Sequence, residues 1–296
     1  MTRTRLQTFL TVVEYGSARA AAVRLSVTES AVSASLAALH REVGTILLER
    51  HGRGLRLTES GTVFAHYARR ILGLMDEGLT AARQGVGAEQ GLVRLGAVTT
   101  AGEYLVPGLL AGFRARFPAM GLTLAIGVRD EVFDRLADHE LDVVIGGRPP
   151  AGQGLITRAT RPNSLIVVAK SGPVPHLSCA TWLLREPGSG TRETTLALLS
   201  SLQITPPTLT LGSQGAVVAS ATWGLGITLV SSDAVETPLA AGELQRLAVR
   251  GTPLSRPWHA VTSAAPTAST RLFLHHLVDR ESAGRLAFRP GGGRSR

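Results

Sequence analysis

The sequence predicts three consecutive structures: an α-rich winged helix-turn-helix, one long helix, and a two-lobed α/β domain. Three observations carry that prediction. Between Val12 and Leu39, two short helical patterns are separated by a two-residue turn. From Thr58, apolar residues recur at helical spacing until Gly85. From Gly91, short β-branched runs alternate with helical patterns.

The first helix is expected over about Arg5 to Tyr15, burying Leu6, Phe9, Leu10 and Val13, with Gly16 as its terminator. Ser17 can cap an Ala-rich helix to Leu25, and Ser26-Val27 make the turn. Thr28 can then cap a helix whose Val32, Leu36 and Leu39 share one face. The opposite face carries Glu29, Ser30, Ser33, Ala34 and Ala37, all small or polar, which suits entry into a DNA major groove. Next, Ile46 to Gly61 reads as a hairpin with Gly52-Arg53-Gly54 at its tip and Arg50 and Arg56 on its arms. Three arginines on such a wing suit phosphate contact, although an ordinary basic hairpin would read the same way.

Thr58 caps the long helix, on which Val63, Phe64, Tyr67, Ile71, Met75 and Leu79 form a stripe. No element nearby in sequence is expected to cover it. A partner chain is therefore the expected cover, with Phe64, Tyr67, Ile71 and Met75 as dimerisation residues. Gly85, Gly87 and Gly91 mark a hinge. Strands are then expected at Leu92–Val98, Leu122–Val128 and Leu141–Gly147, a parallel unit. A second unit follows, with strands at Leu165–Lys170, Thr181–Glu186, Thr208–Gly212 and Gly226–Ser231. The domain boundaries are placed at 1–58, 59–87 and 91–296, with lobe I over about 91–160 and 264–288 and lobe II over about 161–263. Two such lobes joined by two crossovers form a clamp around a ligand.

At 296 residues and 44% hydrophobic content, the chain suits two or three domains. Its net charge of +9 comes almost wholly from arginine, since Lys170 is the sole lysine. Residues 1–58 hold eight arginines against four glutamates, which fits a phosphate-binding end. The basic tail Arg289 to Arg296 reads as a disordered end. The lone Cys179 excludes an internal disulfide. No signal peptide or ~20-residue apolar run is evident, so a cytoplasmic protein without membrane contact is expected.

Thr99, Thr100, Ala101 and Gly102 in one lobe, and Ser189, Gly190, Thr191 and Arg192 in the other, occupy matching loops where a strand ends and a helix opens. Free backbone N–H groups and hydroxyls there suit a small anion. The alternative is that the hydroxyls merely cap their helices, and Arg192 could equally point to solvent. Pro187-Gly-Ser-Gly lacks the first glycine of a nucleophile elbow, and Gly224-Leu-Gly226 is a turn rather than a dinucleotide motif. His275, His276 and Asp279 lack further ligands for a metal site. No catalytic residue, metal site or cofactor is expected.

These residues together resemble the LysR-type transcriptional regulators over nearly the full chain. The strongest match covers Leu6 to Ile71, with Ala20-Ala21, Leu25–Ser33, Leu47–Arg50 and Leu57–Gly61; weaker matches lie at Leu141–Pro149, Arg185–Arg192 and Gly224–Ile227. The resemblance implies a winged helix-turn-helix, a dimerising linker helix, and an effector domain like a periplasmic binding protein. The implied partners are double-stranded DNA at an imperfect inverted repeat in a promoter, a small anionic effector, and further copies of the chain in a homodimer or homotetramer. Glu29 and Ser30 stand where the family often has Gln or Pro, and Ala34 where it often has Arg, so base preference does not carry over. The alternatives are a solute-binding receptor or a DNA-binding protein without effector response.

Overall fold

The computed structural model describes residues 1–52, 54–83 and 87–291. Two compact units divide the chain, residues 1–83 with 137–140, and the remainder.

In the N-terminal unit, α1 (Arg3–Tyr15), α2 (Ala18–Leu25) and α3 (Glu29–Val43) follow the caps the sequence supplies. Ser17 accepts from the Ala20 amide and Thr28 from the Ala31 amide. Gly16 ends α1 at φ +68°, where a side chain would be strained. Ser26 takes the left-handed turn position at φ 55°. Leu6, Phe9 and Val12 from α1 meet Val32, Leu36 and Leu39 from α3 in one core, with Leu10 and Val13 only partly covered.

The hairpin pairs β1 (Leu48–His51) with β2 (Gly54–Leu57), setting Glu49 opposite Arg56 and Arg50 opposite Leu55. Arg53 lies outside the described residues. Thr58 accepts from the Gly61 amide and opens α4 (Glu59–Arg83). Gly61 is required there, since a Cβ would stand 1.9 Å from the Leu47 carbonyl oxygen.

The long helix departs from expectation on one face. Phe64, Ala65, Ala68, Ile71 and Leu72 pack into the core of their own unit, with Phe64 edge-on to Phe9 at 5.5 Å. Arg3 of α1 also pairs with Asp76 at 2.7 Å. The cover for Phe64 and Ile71 is thus α1, an element about 55 residues upstream that adjacency in sequence did not suggest. Gly85, expected to break the helix, lies outside the described residues.

The C-terminal unit holds two lobes. Lobe I has a six-stranded sheet in the order β14-β6-β13-β5-β3-β4. Its parallel core is β3 (Leu92–Val98), β4 (Gly121–Gly127) and β5 (Val143–Gly146). The antiparallel remainder is β6 (Ile156–Arg161), β13 (Trp258–Thr262) and β14 (Arg289–Pro290). Helices α5 (Thr99–Tyr104), α6 (Val106–Arg116), α7 (Arg129–Ala137), α11 (Ala268–Val278) and α12 (Arg280–Ala283) complete it. The core centres on Leu95, Leu109, Phe113 and Phe273. The chain re-enters lobe I at Trp258, six residues earlier than the boundary expected at 264, because β13 sits between β5 and β6.

Lobe II is built on β7 (Ser164–Lys170), which pairs antiparallel with β10 (Thr228–Ser231), β11 (Leu244–Leu247) and β12 (Leu254–Ser255). β8 (Trp182–Arg185) and β9 (Thr208–Leu211) form a parallel ladder there, and Trp182 makes a single parallel bridge to Ile227, with α8 (Gly190–Ser201), α9 (Gln214–Thr222) and α10 (Glu236–Ala240) around them. Trp182 and the aliphatic faces of β7 and α8 form its core.

His276 is buried and its Nε2 lies 3.2 Å from the Leu109 carbonyl, while Asp279 caps α12. Among the described residues, no group of three potential ligands could hold a metal, and no helix is long and apolar enough to cross a membrane.

Candidate nucleic-acid interface and ligand cleft

The capped entry into α3 decides which of its side chains face water. Packing Val32, Leu36 and Leu39 inward leaves Thr28, Glu29, Ser30, Ser33, Ala34 and Ala37 exposed as one continuous face. The Thr28 and Ser30 hydroxyls lie 2.9 Å apart, so the first turn is already ordered. On the wing, Arg50 is exposed and forms no ion pair among the described residues. Arg56 differs, because its Nε donates to Glu49 at 2.6 Å across the hairpin. The cross-strand register that sets these two opposite each other was not read from the sequence.

Of the expected dimerisation residues, Tyr67 and Met75 are exposed and Phe64 and Ile71 are half-buried against the core. Val63 and Leu74 join Tyr67 on the face turned away from that core, while Met75 and Leu79 lie farther along the core-facing stripe and are exposed there.

In the C-terminal unit, a cleft opens between the lobes at the carboxyl ends of β3, β4, β5 and β8, where open α/β sheets place ligands. Lobe I contributes Thr99, Thr100, Gly127, Arg129 and Gly147. Lobe II contributes Arg185, Ser189, Gly190, Thr191 and Ser231. The two crossovers supply Asn163 and Arg256, Trp258 opens β13 at the edge of lobe I, and among the described residues no carboxylate lines the cleft.

The hydroxyls do not cap their helices. Val98 and Ser189 hold the cap positions of α5 and α8, and neither makes a side-chain capping bond. Thr99 Oγ1 lies 3.4 Å from the Gly127 carbonyl, a long contact, and the Ser189 and Thr191 hydroxyls have no partner among the described residues. Thr100 is committed elsewhere: it is buried and donates to Gln214 Oε1, which also accepts from Arg185 Nη1. That bond joins lobe I to lobe II.

Three expected residues lie off the cleft wall. Ala101 packs into the lobe I core, and Gly102 is buried against Ile126. Arg192 turns back to the Arg185 carbonyl at 2.8 Å and to Thr210, because a residue one turn into α8 faces β8 and β9 instead of the helix end.

The cleft holds three arginines that the sequence reading did not select, and their charges are unequally met. Arg185 is clasped by Glu186, with Nε at 2.6 Å from its carboxylate. Arg129 pairs with the exposed Asp130 at 3.0 Å. Arg256 has no carboxylate partner among the described residues; its Nη1 donates to the Gly190 carbonyl at 2.7 Å and to Thr194 Oγ1 at 2.6 Å. Burial, then the neighbouring Arg129 charge, hold its pKa below the usual guanidinium value.

Comparison with known proteins agrees with this geometry. Residues 4–62 match the bacterial regulatory helix-turn-helix protein model of the lysR family, and residues 87–282 match the LysR substrate binding domain. The HTH-type transcriptional regulator CfxR of Cupriavidus necator is 36% identical over 272 residues, covering 88% of this chain and 84% of the relative. Full-length OxyR from Pseudomonas aeruginosa superposes with a TM-score of 0.72 at 20% identity, covering 100% of this chain and 99% of that one. Full-length CbnR, in complex with its target DNA, gives a TM-score of 0.64 at 22% identity, covering 97% and 100%. At those identities the two structures bear on the fold.

Proposed function

The chain belongs to the LysR family of bacterial transcriptional regulators, and on that premise we propose that it binds an imperfect inverted repeat as a homodimer or homotetramer and answers to a small anion held between its lobes. It is a DNA-binding regulator with an effector domain, not an enzyme. Residues 1–58 act as the DNA-binding domain, 59–87 as the dimerising linker and 91–296 as the effector domain. Thr28, Glu29, Ser30, Ser33 and Ala34 face base edges, and Arg50, Arg53 and Arg56 hold phosphates. The exposed apolar side chains of α4, Val63, Tyr67 and Leu74 on one face and Met75 and Leu79 farther along the other, support a partner copy as their cover.

One observation supports the anionic effector: the cleft wall bears hydroxyls, the opening turn of α8 and three guanidinium groups and, among the described residues, no carboxylate. A wall made of donors is complementary to a ligand made of acceptors. The test is the double variant Thr99→Ala, Thr191→Ala in a promoter-binding titration with candidate ligands. Each lost hydroxyl to a charged ligand costs about 1.5–3 kcal/mol, roughly ten- to hundred-fold in affinity. The variant should therefore lose its ligand response and bind the promoter as before. A response kept intact would place the ligand elsewhere, or favour a DNA-binding protein without an effector.

A further inference from the structure

We propose that Arg256 is the fixed counter-charge of the effector and restricts the cleft to oxyanions carrying more than one negative charge. This rests on the reading of the cleft as the effector site, and goes beyond it by naming the residue that sets the ligand's charge.

Three observations converge on Arg256. Its guanidinium reaches the cleft half-buried and without a carboxylate, whereas Arg185 and Arg129 each have one at hand. A desolvated charge left uncompensated is costly, so an arriving anion gains more here than at Arg185, which Glu186 neutralises, or at Arg129, whose exposed partner Asp130 offsets it only in part. Next, Nη1 is held by Gly190 and Thr194, which fixes the plane of the fork and leaves Nη2 for a ligand. Finally, Nη2 lies only 2.4 Å from where a Cβ on residue 190 would stand, so the guanidinium occupies the space that Gly190 leaves open at the first turn of α8. Guanidinium and helix end thus act on the same small volume.

Size and charge then select the ligand. The cavity volume is about 50 Å³, room for a few waters or a single small oxyanion at roughly 10–15 Å³ per water. Arg256 contributes a full unmet charge, and Arg129 adds a second whose only carboxylate partner is solvent-exposed. A monocarboxylate satisfies one of these; a tetrahedral dianion satisfies both and offers further oxygens to Thr191 and Ser189. Arg256 is also built into the crossovers, since its amide donates to the Asn163 carbonyl and its carbonyl accepts from Asn163 Nδ2, both at 2.9 Å. An anion seated on this side chain therefore braces both connections between the lobes.

The experiment is calorimetric titration of the full chain with sodium phosphate, sulfate and acetate at low ionic strength and at pH 6 and 8. The wild type should bind sulfate and phosphate at least ten-fold more tightly than acetate. Phosphate should tighten from pH 6 to 8 as its second proton leaves, while sulfate should not. Arg256→Gln, which keeps an amide donor toward Gly190, should lose this preference, and Arg256→Lys should keep part of it. Gly190→Ala provides an independent route, because it leaves the arginine in place but displaces Nη2, and should produce the same loss. Equal binding of acetate and sulfate, no binding of either dianion, or a preference that survives Arg256→Gln and Gly190→Ala would overturn the proposal. A preference abolished in these two variants but untouched by Thr99→Ala, Thr191→Ala would uphold the role of Arg256 and count against the hydroxyl contacts instead.

Discussion

Leu74→Glu should convert the assembled protein to a monomer. Leu74 is 50% exposed on α4, on the face that also carries Val63 at 57% and Tyr67 at 54%. From Val63 to Leu74 that face extends about 16 Å along the helix at 1.5 Å per residue. Each of its three side chains leaves roughly 80–120 Å² in water, so the face offers on the order of 300 Å² per chain, near 7 kcal/mol at 25 cal/mol/Å². Two such faces meeting give about 15 kcal/mol before the 4–15 kcal/mol cost of association.

The substitution acts twice in a symmetric pair. Each chain loses about 2 kcal/mol of leucine burial, and each brings a carboxylate into an apolar seam at several kcal/mol. Over both chains that sum is comparable to the whole surplus. Leu74→Ala removes only the first part and should weaken the dimer while leaving it detectable at micromolar concentration. Sedimentation velocity across a concentration series reads the result directly. A Leu74→Glu protein that sediments like the parent would show that this face is solvent-exposed in the assembly, and the linker-helix dimer would have to be abandoned. Leu74 is a cleaner probe than Ile71, whose side chain already supports the core of its own unit.

Two further outcomes are expected. Because Glu49 holds Arg56 at 2.6 Å, Glu49→Ala should release that cation and strengthen binding to all DNA sequences, whereas Arg50→Ala should weaken it uniformly and lower the salt slope by about 1; a fluorescence anisotropy titration in which Glu49→Ala leaves the slope unchanged would refute the role given to Arg56. Asp279 accepts from Ser282, the Glu281 amide and Arg116, which bring its pKa from 3.8 down to about 2. A carboxylate depressed in the folded state stabilises above its unfolded pKa and loses that contribution as pH falls through the folded one. Asp279→Asn should thus flatten the loss of stability between about pH 4 and pH 2, and parallel acid-unfolding profiles for parent and variant would remove Asp279 from the account.

The N-terminal unit was legible because its decisive interactions are local. Ser17, Thr28 and Thr58 each accept from an amide three residues on, and Gly16 closes α1 with the one backbone conformation that favours glycine. Short-range signals of this kind survive in a linear reading. The same linear reading misjudged α4, since the partner of Phe64 is Phe9 and no periodicity encodes which face of a helix a distant element will take. In lobe II the four expected strands are present, and what was not legible was their direction. Apolar runs with β propensity do not state their direction, and β7 pairs antiparallel with three strands whose order only long-range packing decides.

The cleft shows the limit most sharply. Thr99, Ser189 and Thr191 line the cleft as expected, because a hydroxyl at a strand end before a helix is a local pattern. Ala101, Gly102 and Arg192 were swept in by proximity, although burial of the first two and the rotation of α8 turn them away. Arg256 had no pattern to betray it: it sits in an irregular crossover, between a two-residue strand and a proline, and meets Gly190 across 66 residues of sequence. In a chain whose cations are nearly all arginine, one more arginine is not a signal. What distinguishes Arg256 is that no acid meets it, and such a property belongs to the folded neighbourhood. The sequence can nominate loops that offer donors to an anion. Which cation such an anion would meet unneutralised follows only after the acids have been assigned to their partners: Glu186 to Arg185, Asp130 to Arg129 and, among the described residues, none to Arg256.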